Sequence, residues 1–84
     1  MKVSDYKFSN HLLERLNQRN LEVDWIINTI DKPDRTDEID DDEIHYYKFI
    51  PEFFDKCLKV VVNPVFKIIV TAHFDRSKTK RGLL

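Results

Sequence analysis

Leu12, Leu13 and Leu16 lie on one side of a breaker-free stretch, residues 11–19, that follows Ser9. That spacing is helical, and Ser9 stands where a capping hydroxyl belongs. Asn20 suits the end of this helix, because asparagine tolerates the left-handed conformation. A second helix is expected from Glu22 or Val23, where Val23, Ile26, Ile27 and Ile30 repeat at i, i+3, i+4, i+7 with Trp25 to one side. Pro33 stops it, with Asp31 and Lys32 in its last turn.

Beyond Pro33 the period shortens to two. Residues 35–39 form a weak strand candidate, and residues 44–50 a stronger one closed by Pro51. Residues 57–62 alternate, with Leu58, Val60 and Val62 on one face, and Asn63-Pro64 signals a turn. Residues 66–74 alternate most clearly. Phe66, Ile68, Val70, Ala72 and Phe74 point one way; Lys67, Ile69, Thr71 and His73 point the other. Successive strands with short connections pair antiparallel. The fold class is therefore α+β: two N-terminal helices packed on one face of a three- to four-stranded antiparallel sheet. One domain over residues 1–84 is expected, with a basic tail, residues 76–84, that frays. The sheet keeps a second, partly open face that carries Cys57, Lys59, Val61, Thr71 and His73.

Composition narrows the class. Hydrophobic residues make up 42% and charged residues 35%, which is globular rather than disordered. A single Cys excludes an internal disulfide and a four-Cys zinc site. No apolar leader follows Met1, and the longest apolar stretch, residues 66–74, is far too short for a bilayer. A cytoplasmic protein with no membrane partner is expected. The net charge of −1 is uneven: residues 37–43 hold six of the fifteen acids. The remainder sums to +5, and Arg76, Lys78, Lys80 and Arg81 crowd the last nine residues. A basic body with one acidic hairpin suits a phosphate-bearing ligand or a basic protein partner.

The most informative motif is His11, Arg15 and Arg19, spaced i, i+4, i+8 along the first helix. Three cations in a row do not stabilise an isolated helix, but they suit an anion. Arginine offers phosphate a planar fork, and histidine exchanges protons near neutral pH. The competing account pairs Glu14 with one arginine and lays the other over the core edge.

The pattern Ser9-x-His11-x-x-x-Arg15-x-x-x-Arg19-x-Leu21, then a short helix and strands ending in Ile68-Ile69-Val70-Thr71, resembles a family of short bacterial and archaeal proteins catalogued as a domain of unknown function. Those proteins look like relatives of the RelE/ParE and BrnT toxins, in the barnase–EndoU–colicin–RelE group of ribonuclease-like folds. Related sequences commonly have a small residue after the histidine and a glycine after the second arginine, where this chain has Leu12 and Asn20. Near the last strand they often carry an aromatic, where this chain has Ala72-His73-Phe74.

The resemblance implies a RelE-like fold and a toxin-like ribonuclease of a type II toxin–antitoxin system, an mRNA-interferase-like endoribonuclease working without metal or cofactor. Its implied partners are RNA, free or ribosome-associated, and an antitoxin-like protein; the oligomeric state stays open. Cleavage by 2′-OH attack needs a base, an acid and cations for the developing charge. The catalytic candidates are His11, Arg15, His73 and Arg76. The substrate-binding candidates are Arg19, Lys59, Thr71 and Tyr47, with Tyr46 or Tyr47 offered for stacking on a base. The alternative is a non-catalytic module of the same fold that binds a protein partner or nucleic acid. A metal site from His11, His45 and His73 would need three scattered residues to converge. Cys57 lacks an activating motif, and Gly82, the only glycine, forms no phosphate-cradling loop.

The acidic run gives a first prediction. Exposed charges at a hairpin contribute little, so replacing Asp40, Asp41 and Asp42 together with serine should change unfolding stability by less than about 1 kcal/mol in a urea titration. A larger loss would reveal an ion or an internal partner.

Overall fold

The computed structural model describes residues 6–18 and 21–75. The elements run β1 (Lys7–Phe8), α1 (Asn10–Gln18), α2 (Val23–Asp31), β2 (Arg35–Asp40), β3 (Glu43–Ile50), a 3₁₀ turn (Pro51–Phe53), β4 (Lys56–Asn63) and β5 (Ile68–Phe74). The expected α+β class holds, but the sheet has five strands in the order β1-β5-β4-β3-β2 and is mixed. β2 to β5 are antiparallel neighbours. β1 pairs parallel with β5, Lys7 with Ile68 and Phe8 with Ile69. A two-residue strand leaves no alternation to read, which is why the sequence pattern does not reveal it. The acidic run does form a hairpin, with Asp41 and Asp42 at its turn.

Both helices cover the same face. Leu12, Leu21 and Ile26 pack against Leu58, Val60, Val62, Ile69 and Ala72 in one buried cluster. Leu58, Val60 and Val62 are each fully buried, as their alternation implies. Helix α2 is rotated from its expected setting. Ile26 and Thr29 are buried, while Val23 and Ile27 are exposed. Trp25 turns inward instead, against Phe53 and Phe74, and those two rings stack at 4.8 Å. Its indole supplies the bulk that an aliphatic stripe would have given, and Thr29 is tolerated because its hydroxyl donates to the Trp25 carbonyl at 2.7 Å.

Strand β5 also departs from strict alternation. Val61 pairs with Thr71 but Val62 pairs with Ile69, so Val70 is the extra residue of a bulge. The bulge flips the pattern: Ile69 is buried and Val70 is exposed, opposite to expectation. Residues 64–67 belong to the turn rather than the strand. There the Asn63 side chain accepts the Val65 and Phe66 amides, and Lys67 takes a φ of 55° in place of a glycine.

The bulge has a use. Ser9 caps α1 as expected, its Oγ accepting the Leu12 amide at 3.0 Å. The same hydroxyl donates to the Val70 carbonyl at 2.6 Å, and the Ser9 amide donates to Ile69. One side chain thus joins a helix start to the kinked strand. Ser9→Ala removes both bonds and is expected to cost about 1–2 kcal/mol, the upper part of the usual range for caps. Chemical denaturation measures it; a loss below about 0.5 kcal/mol would show that water replaces the hydroxyl at both ends.

Candidate functional site on the second sheet face

The face away from the helices is ordered by register. His73 on β5 lies opposite Lys59 on β4, Lys59 opposite Tyr47 on β3, and Tyr47 opposite Arg35 on β2. A second row, two residues along, runs Thr71, Val61, His45 and Asp37. Directly opposed residues on one face hold their Cβ atoms about 4.5–5.5 Å apart. Four polar side chains with three kinds of chemistry therefore cross the sheet in one line.

One end of this face is dry. Tyr47, Phe49 and Cys57 form a small buried cluster of their own. Cys57 is 1% exposed, which removes it as a nucleophile. Lys59 lays its ammonium 6.0 Å from the centre of the Tyr47 ring. With Tyr47 only 5% exposed, its ring offers little face for a nucleobase, and its service to the row is to seat Lys59. Burial raises the Tyr47 phenol above its ordinary range, and the carboxylates of Asp37 and Asp75 add to the rise, against a smaller lowering by Arg35. The Tyr46 phenol, on the helix side, is raised by burial first and then by Tyr6 and Glu38.

On β2 and β3 the polar residues are held by side-chain bonds. Arg35 Nε donates to Asp37 Oδ1 at 3.0 Å. His45 Nε2 lies 2.6 Å from Glu43 Oε2.

The sequence candidates fall into two places. Lys59, Thr71, His73 and Tyr47 share the second face. His11 and Arg15 ride on α1, which Leu12 and Leu16 anchor to the opposite face. There Arg15 Nε donates to His11 Nε2 at 2.9 Å, so the two are joined to each other. The sheet stands between this pair and His73, and they do not converge. Arg19 and Arg76 lie outside the described residues, as does the tail expected to fray. Sequence reasoning missed Arg35, Asp37 and, as part of this face, His45. The signal was present as period two in Arg35-Thr36-Asp37 and His45-Tyr46-Tyr47, but it needed the hairpin register to bring the pairs together. Among the described residues no three His, Cys, Asp or Glu side chains are arranged to hold a metal ion, and no helix is long and apolar enough to cross a membrane.

A family model described as a domain of unknown function (DUF4258) matches residues 8–74. Searches of curated proteins and of solved structures gave no match.

The raised Tyr47 phenol has a consequence for stability. Well below its ordinary value of 10 the phenol is protonated in both folded and unfolded chains and adds no pH dependence. Above that, the unfolded chain loses the proton first, and folding stability falls until the folded phenol also ionises. The melting temperature should therefore fall as the pH rises through the ordinary phenol value of 10, and that of Tyr47→Phe should fall less. Equal drops would mean that Tyr47 ionises without leaving its site.

Proposed function

The chain belongs to the DUF4258 family, and from that premise we propose that it is a toxin-like endoribonuclease with a RelE-like fold, cleaving RNA without metal at the second sheet face. The observation that carries this reading is the line His73–Lys59–Tyr47–Arg35, in direct register across four strands. It combines a proton-transfer group, an ammonium and a guanidinium on a rigid surface, which is what phosphodiester cleavage asks of a protein that uses its own side chains.

In this mechanism His73 takes the proton of the ribose 2′-OH. The oxygen attacks phosphorus, and the bond to the 5′ oxygen breaks as that oxygen receives a proton. A 2′,3′-cyclic phosphate and a 5′-hydroxyl remain. Lys59, held beside His73 and steadied by the Tyr47 ring, meets the charge that builds on the phosphoryl oxygens. Arg35 and Thr71 lie where the chain of phosphates continues. His11 and Arg15, on the other side of the sheet, take no part in the chemistry. An antitoxin-like protein is the partner this reading requires.

The rival is a non-catalytic module that binds RNA or protein. It is favoured by one observation, the separation of His11 and Arg15 from His73. Purified protein and a short end-labelled RNA, with chelator present, decide between them. His73→Ala should cut the cleavage rate by about 10²- to 10⁴-fold while RNA binding persists. Lys59→Ala should weaken both, and binding should fall steeply with salt. Salt-dependent binding with no cleavage by the wild type, on or off ribosomes, would establish the module instead.

A further inference from the structure

Cleavage of this kind moves two protons, one off the 2′-OH and one onto the leaving 5′ oxygen. His73 accounts for the first. With His11 across the sheet, the second has no owner in the row itself.

The neighbouring row supplies a candidate. His45 sits on β3 two residues before Tyr47, on the same face. Lys59 is directly opposite Tyr47, which makes His45 its diagonal neighbour, with Cβ atoms about 7–8 Å apart. His73 is the direct neighbour of Lys59 on the other side. A phosphate resting on the Lys59 ammonium therefore has one imidazole beside it and a second diagonally across. The two histidines are two strands and two residues apart, on the order of 12 Å between Cα atoms by ordinary strand spacing and rise. Side chains reaching in from both sides can bracket a single phosphodiester.

The His45 ring is also held. Its side chain is 13% exposed, and Nε2 meets Glu43 Oε2 at 2.6 Å. That bond occupies Nε2 and leaves Nδ1 as the ring's second nitrogen. Asp37 faces His45 directly from β2, but its Oδ1 is taken by Arg35. Position divides the labour. The Glu43 carboxylate fixes the orientation of the His45 ring. The Lys59 ammonium stands on the strand beside His73, so a phosphate on it is within reach of that imidazole.

We propose that His45, positioned by Glu43, is the general acid of this face and protonates the leaving 5′ oxygen. This rests on the ribonuclease reading above. Proton balance is kept: His73 gains the proton that the 2′-OH loses, and His45 gives one to the oxygen whose bond to phosphorus breaks. Glu43 is a positioning residue, since its carboxylate acts through the imidazole of His45.

The test exploits the leaving group. A ribonucleoside 3′-(p-nitrophenyl) phosphate expels an anion that needs no protonation, whereas an RNA dinucleotide expels an alkoxide that does. His45→Gln should lose about 10²-fold or more on the dinucleotide and less than about tenfold on the nitrophenyl ester. Glu43→Gln should show a smaller loss with the same split. Because Glu43 is the more exposed partner, that variant carries the test if circular dichroism shows His45→Gln unfolded. Equal losses on both substrates would mean that the pair only braces the hairpin, and no loss on either would remove His45 from the chemistry. Each of these overturns the inference while leaving the ribonuclease reading intact. A wild type inert on both substrates would overturn that reading, and this inference with it.

Discussion

Two nine-residue helices cannot persist in water by themselves, because a helix that short scarcely repays its own nucleation. Here both exist because the sheet presents one continuous apolar surface: α1 packs on β5 with Leu12 fully buried, and α2 packs on β4 and β3 with Ile26 fully buried. Among the described residues both helices pack on one face of the sheet and no helix packs on the other. That inequality governs everything else. It sets the helix row His11–Arg15 on one side and the polar line from His73 to Arg35 on the other. The second face has a small cluster of its own in Tyr47, Phe49 and Cys57, which shields one end of the ladder.

The bulge at Val70 reconciles two demands on β5. Its C-terminal half must align Thr71 and His73 with Val61 and Lys59, while its N-terminal half must bury Ile69 under α1. A strand of strict period two would send Ile69 and His73 to the same face. The extra residue lets one strand serve both layers, and the carbonyl it turns out becomes the anchor for Ser9.

The sequence made the element types and most of the packing legible. The capping role of Ser9, the stop at Pro33, the alternation of Leu58, Val60 and Val62 and the turn at Asn63 all follow from local chemistry that acts within a few residues. What escaped was non-local. The two residues of β1 carry no period, the rotation of α2 depends on where Phe53 and Phe74 leave room for Trp25, and the bulge at Val70 is decided by pairing rather than by valine itself. The site was half legible for the same reason. Lys59, Thr71 and His73 shared a face on paper because their strands are adjacent in sequence. Arg35 and His45 joined them only once the β2–β3 register was known, and the helical motif that looked most like chemistry proved to sit beyond the sheet.

The tie between Ser9 and Val70 bridges 61 positions. During synthesis, α1 therefore leaves the ribosome long before the carbonyl and the strand surface that secure it. The nascent chain can form the β2–β3 and β3–β4 hairpins in order as they emerge, but the first helix must wait, unanchored, for nearly the last strand. Final locking is thus a late and concerted step. Whatever this surface does, it cannot do it until the fifth strand has cleared the exit tunnel.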